Sequence, residues 1–295
     1  MTTKRPSPFW LSLGIVTALY LAFILALLGV TASYTTPADI WKALSPPPGN
    51  PIEPLHGSLL DKFLAYPIGH AIVLSLETCT ASALLALLVA TPVGYLLSRG
   101  KFRGKPLLDA ALDIPIVLPP MVVGLCLLIF FQTPFGRAIE SIRIPGFKTP
   151  WFEISPFQFQ FTYTVLGVVL AQFIIGAAFA VRTMRGTFDH LSSRPEDVAM
   201  TLGCSRGRAV WLVTLPAARR GMFAAFSIAW ARSLGEFGPI LVFAGATRMK
   251  TEVLPTTVWL ELSVGNLEAA VAVSLLMVAL AMVVLVAVRL VGERV

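Results

Sequence analysis

Charge is scarce in this sequence. Only 13% of its 295 residues are Asp, Glu, Lys or Arg, where a soluble domain carries roughly a quarter. That shortage excludes an ordinary solvated surface. Histidine and cysteine are equally sparse, at three each. Cys79, Cys126 and Cys204 are odd in number and far apart, which excludes a disulfide framework; Cys79 and Cys126 fall within apolar runs as small core residues. His56, His70 and His190 lack ligand spacing, so no metal site is expected. A Gly-x4-Gly-Lys-Ser/Thr phosphate loop is also missing. Gly100-Lys101 and Gly104-Lys105 have no glycine at the required upstream position, and this chain itself is not expected to hydrolyse ATP.

What is present is apolar length. Hydrophobic residues make up 56% of the chain and the mean hydropathy is +0.78. Six apolar stretches, at about 9–31, 68–98, 106–131, 162–182, 221–245 and 268–291, each approach the roughly 20 residues that cross a bilayer as helix. The expected fold class is all-α integral membrane, one domain of six transmembrane helices. The first stretch follows Lys4-Arg5 as a signal peptide would, but a signal core runs to about 15 residues and Phe9–Val30 is longer. A retained helix is expected, with cleavage near Thr31-Ala32-Ser33 left open.

Fifteen Lys and Arg residues fall in one set of alternating segments (the N-terminus, 99–105, 182–220 and the C-terminus) against seven in the other. Positive charge marks the cytoplasmic side, which puts both termini inside. It also explains the net charge of +7 without a nucleic-acid partner. Two loops on the opposite side are proline-rich: Ser45–Pro51, and Gln132–Gln160 with Pro134, Pro145, Pro150 and Pro156. Both are expected to be extended, poorly helical connectors that could also seat an external partner.

Within the spans, Glu77, Asp109, Asp113, Arg232 and Glu236 each carry an insertion cost of about 2.5–3.5 kcal/mol if unpaired. Arg232 and Glu236, four apart, share a helix face and can pair, as a structural tie or beside a substrate path. Asp113 precedes Pro115, Pro119 and Pro120, where a helix must bend. Glu77 is expected to find a partner inside the bundle. Phe237 and Phe243 could narrow a pathway or simply pack.

The inside segment 182–221 is the most informative. Ser193 and Glu196 have capping-box spacing, Pro195 suits a first helical turn, and Gly203 suits a helix stop. The reading is a short helix from Arg194 to near Gly203, then a second helical stretch, Arg206–Thr214, running into Pro216. Such a pair could rest on lipid headgroups or insert into a groove on another protein.

The spacing here resembles the signature loop of ABC-importer permeases: Glu-Ala-Ala, three residues, Gly, nine residues, Ile, one residue, Leu-Pro. Asp197, Val198, Ala199, Gly203, Val213, Leu215 and Pro216 fill those places, with Asp for Glu, Val for Ala and Val for Ile. The run Trp230–Gly238 is similar to the fifth-helix segment of the molybdate, tungstate and sulfate permease group, as are Ala244–Thr251 and Leu254-Pro255-Thr256. The resemblance spans about residues 68–291. It implies a type I importer fold: residues 1–66 as first helix and external loop, and 67–295 as permease core with its coupling loop at about 182–221. It further implies two cytoplasmic ATPase subunits carrying ATP and Mg, an external solute-binding protein, a second and identical permease chain, and no cofactor on this chain. The cell (inner) membrane is the implied location. Arg232, Glu236, Phe237, Glu77 and Asp113 are the pathway or intramembrane polar candidates. A permease for another small solute, an ion-coupled secondary transporter and a membrane-embedded enzyme are the rivals. The second would show internal repeats or broken midplane helices, and the third a catalytic cluster in the spans.

Overall fold

The computed structural model describes residues 8–33, 35–36, 38, 66–144, 147–149, 152–154 and 157–294. The charges Lys4, Arg5, Lys42 and Lys62, His56, the Ser45–Pro51 loop, and Pro145, Pro150 and Pro156 lie outside the described residues.

The described residues are helical nearly throughout. The elements are α1 (Pro8–Ser33), α2 (Pro67–Arg99), α3 (Lys105–Val117), α4 (Pro120–Gln132), α5 (Pro134–Glu140), α6 (Val165–His190), α7 (Arg194–Thr201) and α8 (Arg206–Ala209). A π-helical turn (Val210–Thr214) leads into α9 (Leu215–Leu234), followed by α10 (Gly238–Phe243), α11 (Leu254–Val264) and α12 (Leu267–Arg294). Among the described residues, four helices are long and apolar enough to cross a membrane: α1, α2, α6 and α12. α3 and α4, bent by 108° against each other, supply a fifth span if taken together.

The elbow has a local cause. Leu118 precedes a proline, which pushes it out of helical backbone, and it sits at φ −67, ψ 141. Pro119 continues extended, and Pro120 restarts the helix at a position where its missing N–H is harmless.

The stretch expected as one span at 221–245 is not one helix. α9 is 20 residues long, enough for about 30 Å, but it stops at Leu234. Gly235, Glu236 and Phe237 break it, and Gly238-Pro239 begins the short α10. The Gln132–Gln160 loop holds the departures from helix. After α5, capped by Thr133 Oγ1 accepting from the Gly136 amide at 3.1 Å, Arg143–Ile144 pairs with Phe157–Gln158, and Phe147–Thr149 with Phe152–Ile154, both antiparallel.

α2, α6 and α9 form the centre, and small residues let them approach. Ala83, Ala86, Ala90, Ala180, Ala225 and Ala229 are fully buried among them. A Cβ at Gly94 would sit 2.8 Å from Met184 Cβ and 2.9 Å from the Arg185 nitrogen, so only glycine permits this α2–α6 spacing. Without a hydrophobic force between helices in lipid, such close packing and interhelical hydrogen bonds hold the bundle. Ser82 and Ser233 hydroxyls meet at 3.2 Å, and the Trp230 indole donates to Thr80 at 3.3 Å. A second cluster, including Leu127, Phe131, Val168, Ile240 and Phe243, seats α4 and α10 on α6. α1 stands apart, with its main contact to α12.

Candidate functional site

The 194–216 loop folds as a helix, a glycine stop and a second helical run. α7 ends in a Schellman motif: the Cys204 amide donates to the Ala199 carbonyl at 3.0 Å and the Gly203 amide to Met200 at 3.1 Å. Gly203 sits at φ +94, as a glycine stop requires. Ser205 caps α8, accepting from the Arg208 amide at 3.4 Å. The second stretch does not end before Pro216 but passes into α9 through the π turn. Proline at 216 has no N–H for the Leu212 carbonyl, and the turn is instead closed by the Leu215 amide donating to Val210.

The expected capping box does not form. Ser193 makes no side-chain cap, and Ser192 Oγ takes the Arg194 amide at 3.3 Å. Glu196 turns inward instead and is 6% exposed. The Tyr95 hydroxyl on α2 donates to its Oε1, and Thr214 in the π turn donates to Oε2 at 3.0 Å. Tyr95 is itself held edge-on against Phe188. One carboxylate thus ties α7 to α2 and to the foot of α9. Sequence spacing fits both outcomes, and only the burial of that face decides between them.

Elsewhere the loop exposes large apolar side chains, beside the exposed charges Arg194, Asp197, Arg206 and Arg208. Val198, Leu202, Trp211 and Leu212 are 56%, 81%, 73% and 69% exposed. Asp197, Gly203 and Pro216 are also exposed, while Ala199, Val213 and Leu215 are half-buried. Beside the loop, Arg99 donates to the Leu191 carbonyl at 2.6 Å and Ser98 to Asp189 at 2.6 Å, fastening the α6–α7 turn to the end of α2.

The intramembrane candidates separate. Arg232 Nη2 donates to Glu236 Oε1 at 2.7 Å, as expected, with the guanidinium 5.0 Å from the Phe179 ring centroid. Both line a cleft with Pro119, Pro120, Met121 and Phe237, where the two helix breaks meet. Phe237 is half-buried and faces Trp259 at 6.3 Å, whereas Phe243 is fully buried against Phe131. Phe243 is a core residue. Asp113 does not join the cleft: Arg182 donates Nε to its Oδ1 at 2.8 Å, and Asp109 likewise pairs with Arg185. Two arginines counted among the loop charges of 182–220 are therefore the partners of two span carboxylates. Glu77 departs from expectation, since it is exposed and has no partner inside the bundle among the described residues. It shares the outer face of α2 with Leu84 and Leu88, opposite the buried Ser75, Cys79 and Ser82. Arg248 is engaged by Glu261 at 2.7 Å. Among the described residues no cluster of metal-ligating side chains occurs.

Residues 84–295 match the family described as the binding-protein-dependent transport system inner membrane component. The chain belongs to that family. It is accordingly a multi-pass permease, a transport component, and the resemblance seen in the 194–216 loop is borne out at family level. The molybdenum transport system permease protein of Mycobacterium tuberculosis is 35% identical over 213 residues, 72% of this chain and 75% of that one. The sulfate transport system permease protein of Escherichia coli is 31% identical over 202 residues, 68% of each chain. The permease also shares its fold with a chain in the crystal structure of a bacterial alginate ABC transporter, solved in complex with an alginate-pentasaccharide-bound periplasmic protein. The TM-score is 0.64 at 15% identity, covering 97% of this chain and 94% of that one. Broken helices are present after all, a feature of secondary transporters, but the family assignment removes that rival.

Proposed function

We propose that this chain forms the membrane pathway of a type I ATP-binding-cassette importer, and that its 194–216 loop docks on a separate cytoplasmic ATPase. The observation that carries this reading is the loop's two-sidedness: exposed apolar side chains outward, and Glu196 bound inward to α2 and the π turn. Asp197, Val198, Ala199, Gly203, Val213, Leu215 and Pro216 form or support the docking surface. When two ATPase subunits close on ATP and Mg, α7 moves, and the Glu196 tie carries that motion into α2 and α9, alternating access to the pathway. This chain binds no cofactor of its own.

A second, identical chain completes the pathway. The exposed Glu77 supports this, because a carboxylate left facing lipid would cost about 2.5–3.5 kcal/mol. Residues 67–295 form the permease core, with 1–66 a separate leading unit; its described helix, α1, rests mainly on α12. Both termini are cytoplasmic, on the strength of the loop charges. Cysteines at Ser192 and Asn50 should label from opposite sides of the membrane.

The cargo is a tetrahedral oxyanion, molybdate or tungstate first and sulfate second, delivered by an external solute-binding protein. The molybdenum and sulfate relatives support this, together with the Trp230–Gly238 run. A strain lacking the chain should lose high-affinity uptake of molybdate or tungstate, with rescue by excess external oxyanion. Unchanged uptake of all three would overturn the cargo and leave the importer class standing.

A further inference from the structure

The α3–α4 elbow and the end of α9 face each other across a cleft of about 390 Å³. Its wall is apolar, from Pro119, Pro120, Met121 and Phe237, and its charges are Arg232 and Glu236. The guanidinium is incompletely satisfied. Of its five N–H donors, Nη2 is used by Glu236, Nε is enclosed with no acceptor among the described residues, and the side chain is 42% exposed. Phe179, on α6, places its ring under the guanidinium. Pro120 and Met121 on the cleft wall open the 13-residue α4, so the partial positive end of that half-helix adds to the arginine's field.

We propose that this cleft holds the cargo oxyanion in passage, with Arg232 as its cation and Glu236 as the resident anion that the cargo displaces. This rests on the reading that the chain passes an oxyanion. A tetrahedral dianion presents an edge of two oxygens to the guanidinium fork and carries twice the charge of a carboxylate, so it competes for the same arginine where chloride does not. Glu236 sits four residues from Arg232, so side-chain rotation is enough to release the guanidinium and to reclaim it afterwards. Among the described residues the wall carries no second cationic side chain, which keeps residence brief, as conduction requires. At rest the pair is neutral, so the empty cleft holds balanced charge.

The test uses the full permease–ATPase complex in proteoliposomes, with Met121→Cys as reporter in a Cys126→Ser, Cys204→Ser background. Sodium molybdate and sulfate should slow modification of the reporter by a charged thiol reagent, and sodium chloride at equal ionic strength should not. Glu236→Gln should lower the half-protecting molybdate concentration at least fivefold. Arg232→Gln should abolish protection and cut uptake at least tenfold while ATP hydrolysis stays within about twofold. If Arg232→Gln fails to assemble, Arg232→Lys, which keeps charge but loses the fork, should weaken protection at least fivefold. Protection that survives loss of the guanidinium, equal protection by chloride, or no protection in a complex that transports molybdate would each overturn the site. A wild-type complex that transports no oxyanion would instead overturn the cargo reading on which the site rests.

Discussion

Glu196 and Glu236 are both buried carboxylates, 6% and 3% exposed, yet their partners give them opposite mechanical roles. Glu196 accepts from hydroxyls 101 and 18 residues away, on two other elements. Glu236 accepts from an arginine four residues back on its own segment. The first tie cannot open without separating α7 from α2 and the π turn, so it suits transmission of force. The second can open by side-chain rotation alone, so it suits exchange with a mobile anion. Where a carboxylate's partner lies, more than how deeply it is buried, decides what the pair can do.

The sharpest way to break this contrast is at the loop's own stop. A Cβ at Gly203 would meet nothing within 4 Å, so Gly203→Val costs only backbone strain, about 1–3 kcal/mol at positive φ. ATPase association and transport should fall together by more than tenfold with near-normal expression, measured by co-purification and uptake. Ala199→Glu should do the same. Gly203→Asn, which tolerates left-handed backbone, should retain most function.

Glu196→Ala is next in expected size. It strands two hydroxyls, about 1–3 kcal/mol for each buried donor left unpaired. The loop surface stays in place, so the ATPase should still bind and hydrolyse ATP while uptake drops about tenfold. Equal loss of binding and uptake would make Glu196 a mere fold residue. Disrupting the Arg182–Asp113 pair should matter far less. Arg182 is 62% exposed, and a double-mutant cycle with Arg182→Gln and Asp113→Asn should return little or no coupling, as for a solvent-screened surface pair.

Much of this was legible in the sequence, and what was not has common causes. The apolar runs and the Gly203 stop are local signals, as is the bend that Pro115, Pro119 and Pro120 announced. Motif spacing placed the loop. The break at Gly235–Phe237 was hidden because its surroundings stay apolar across 221–245. The π turn was hidden because proline at the start of a helix is ordinary. Glu196 obeyed a capping pattern that the fold overrode by burying its face. Asp113 and Arg182 lie 69 residues apart, and no periodicity reveals such a partner. Glu77 carried no sign in the sequence that its side of α2 faces outward.

The smallest expected effect concerns Glu252, 1% exposed. Thr257 and the Met249 amide approach it, but among the described residues neither carboxylate oxygen gains a hydrogen-bond partner. Burial pushes its carboxyl above the ordinary 4.5, against the pull of Arg248 and with the push of Glu261. The fold therefore favours the protonated form, and stability declines as pH rises from 4.5 through the raised value. Glu252→Gln should raise Tm by about 2–4 °C at pH 8 for each ~1 kcal/mol recovered, with the gain shrinking toward pH 4.5.

The central claim is that the 194–216 loop touches the ATPase and moves with it. Photo-crosslinking side chains placed at Leu202 and Trp211, the loop's most exposed apolar positions, test it directly in membranes containing the co-expressed ATPase. Both should form adducts with the ATPase subunit, with yields that change between ATP-free and ATP-trapped states, while a crosslinker at Leu84 on the outer face of α2 should form none. A fully transporting complex in which neither loop position reaches the ATPase would contradict the account.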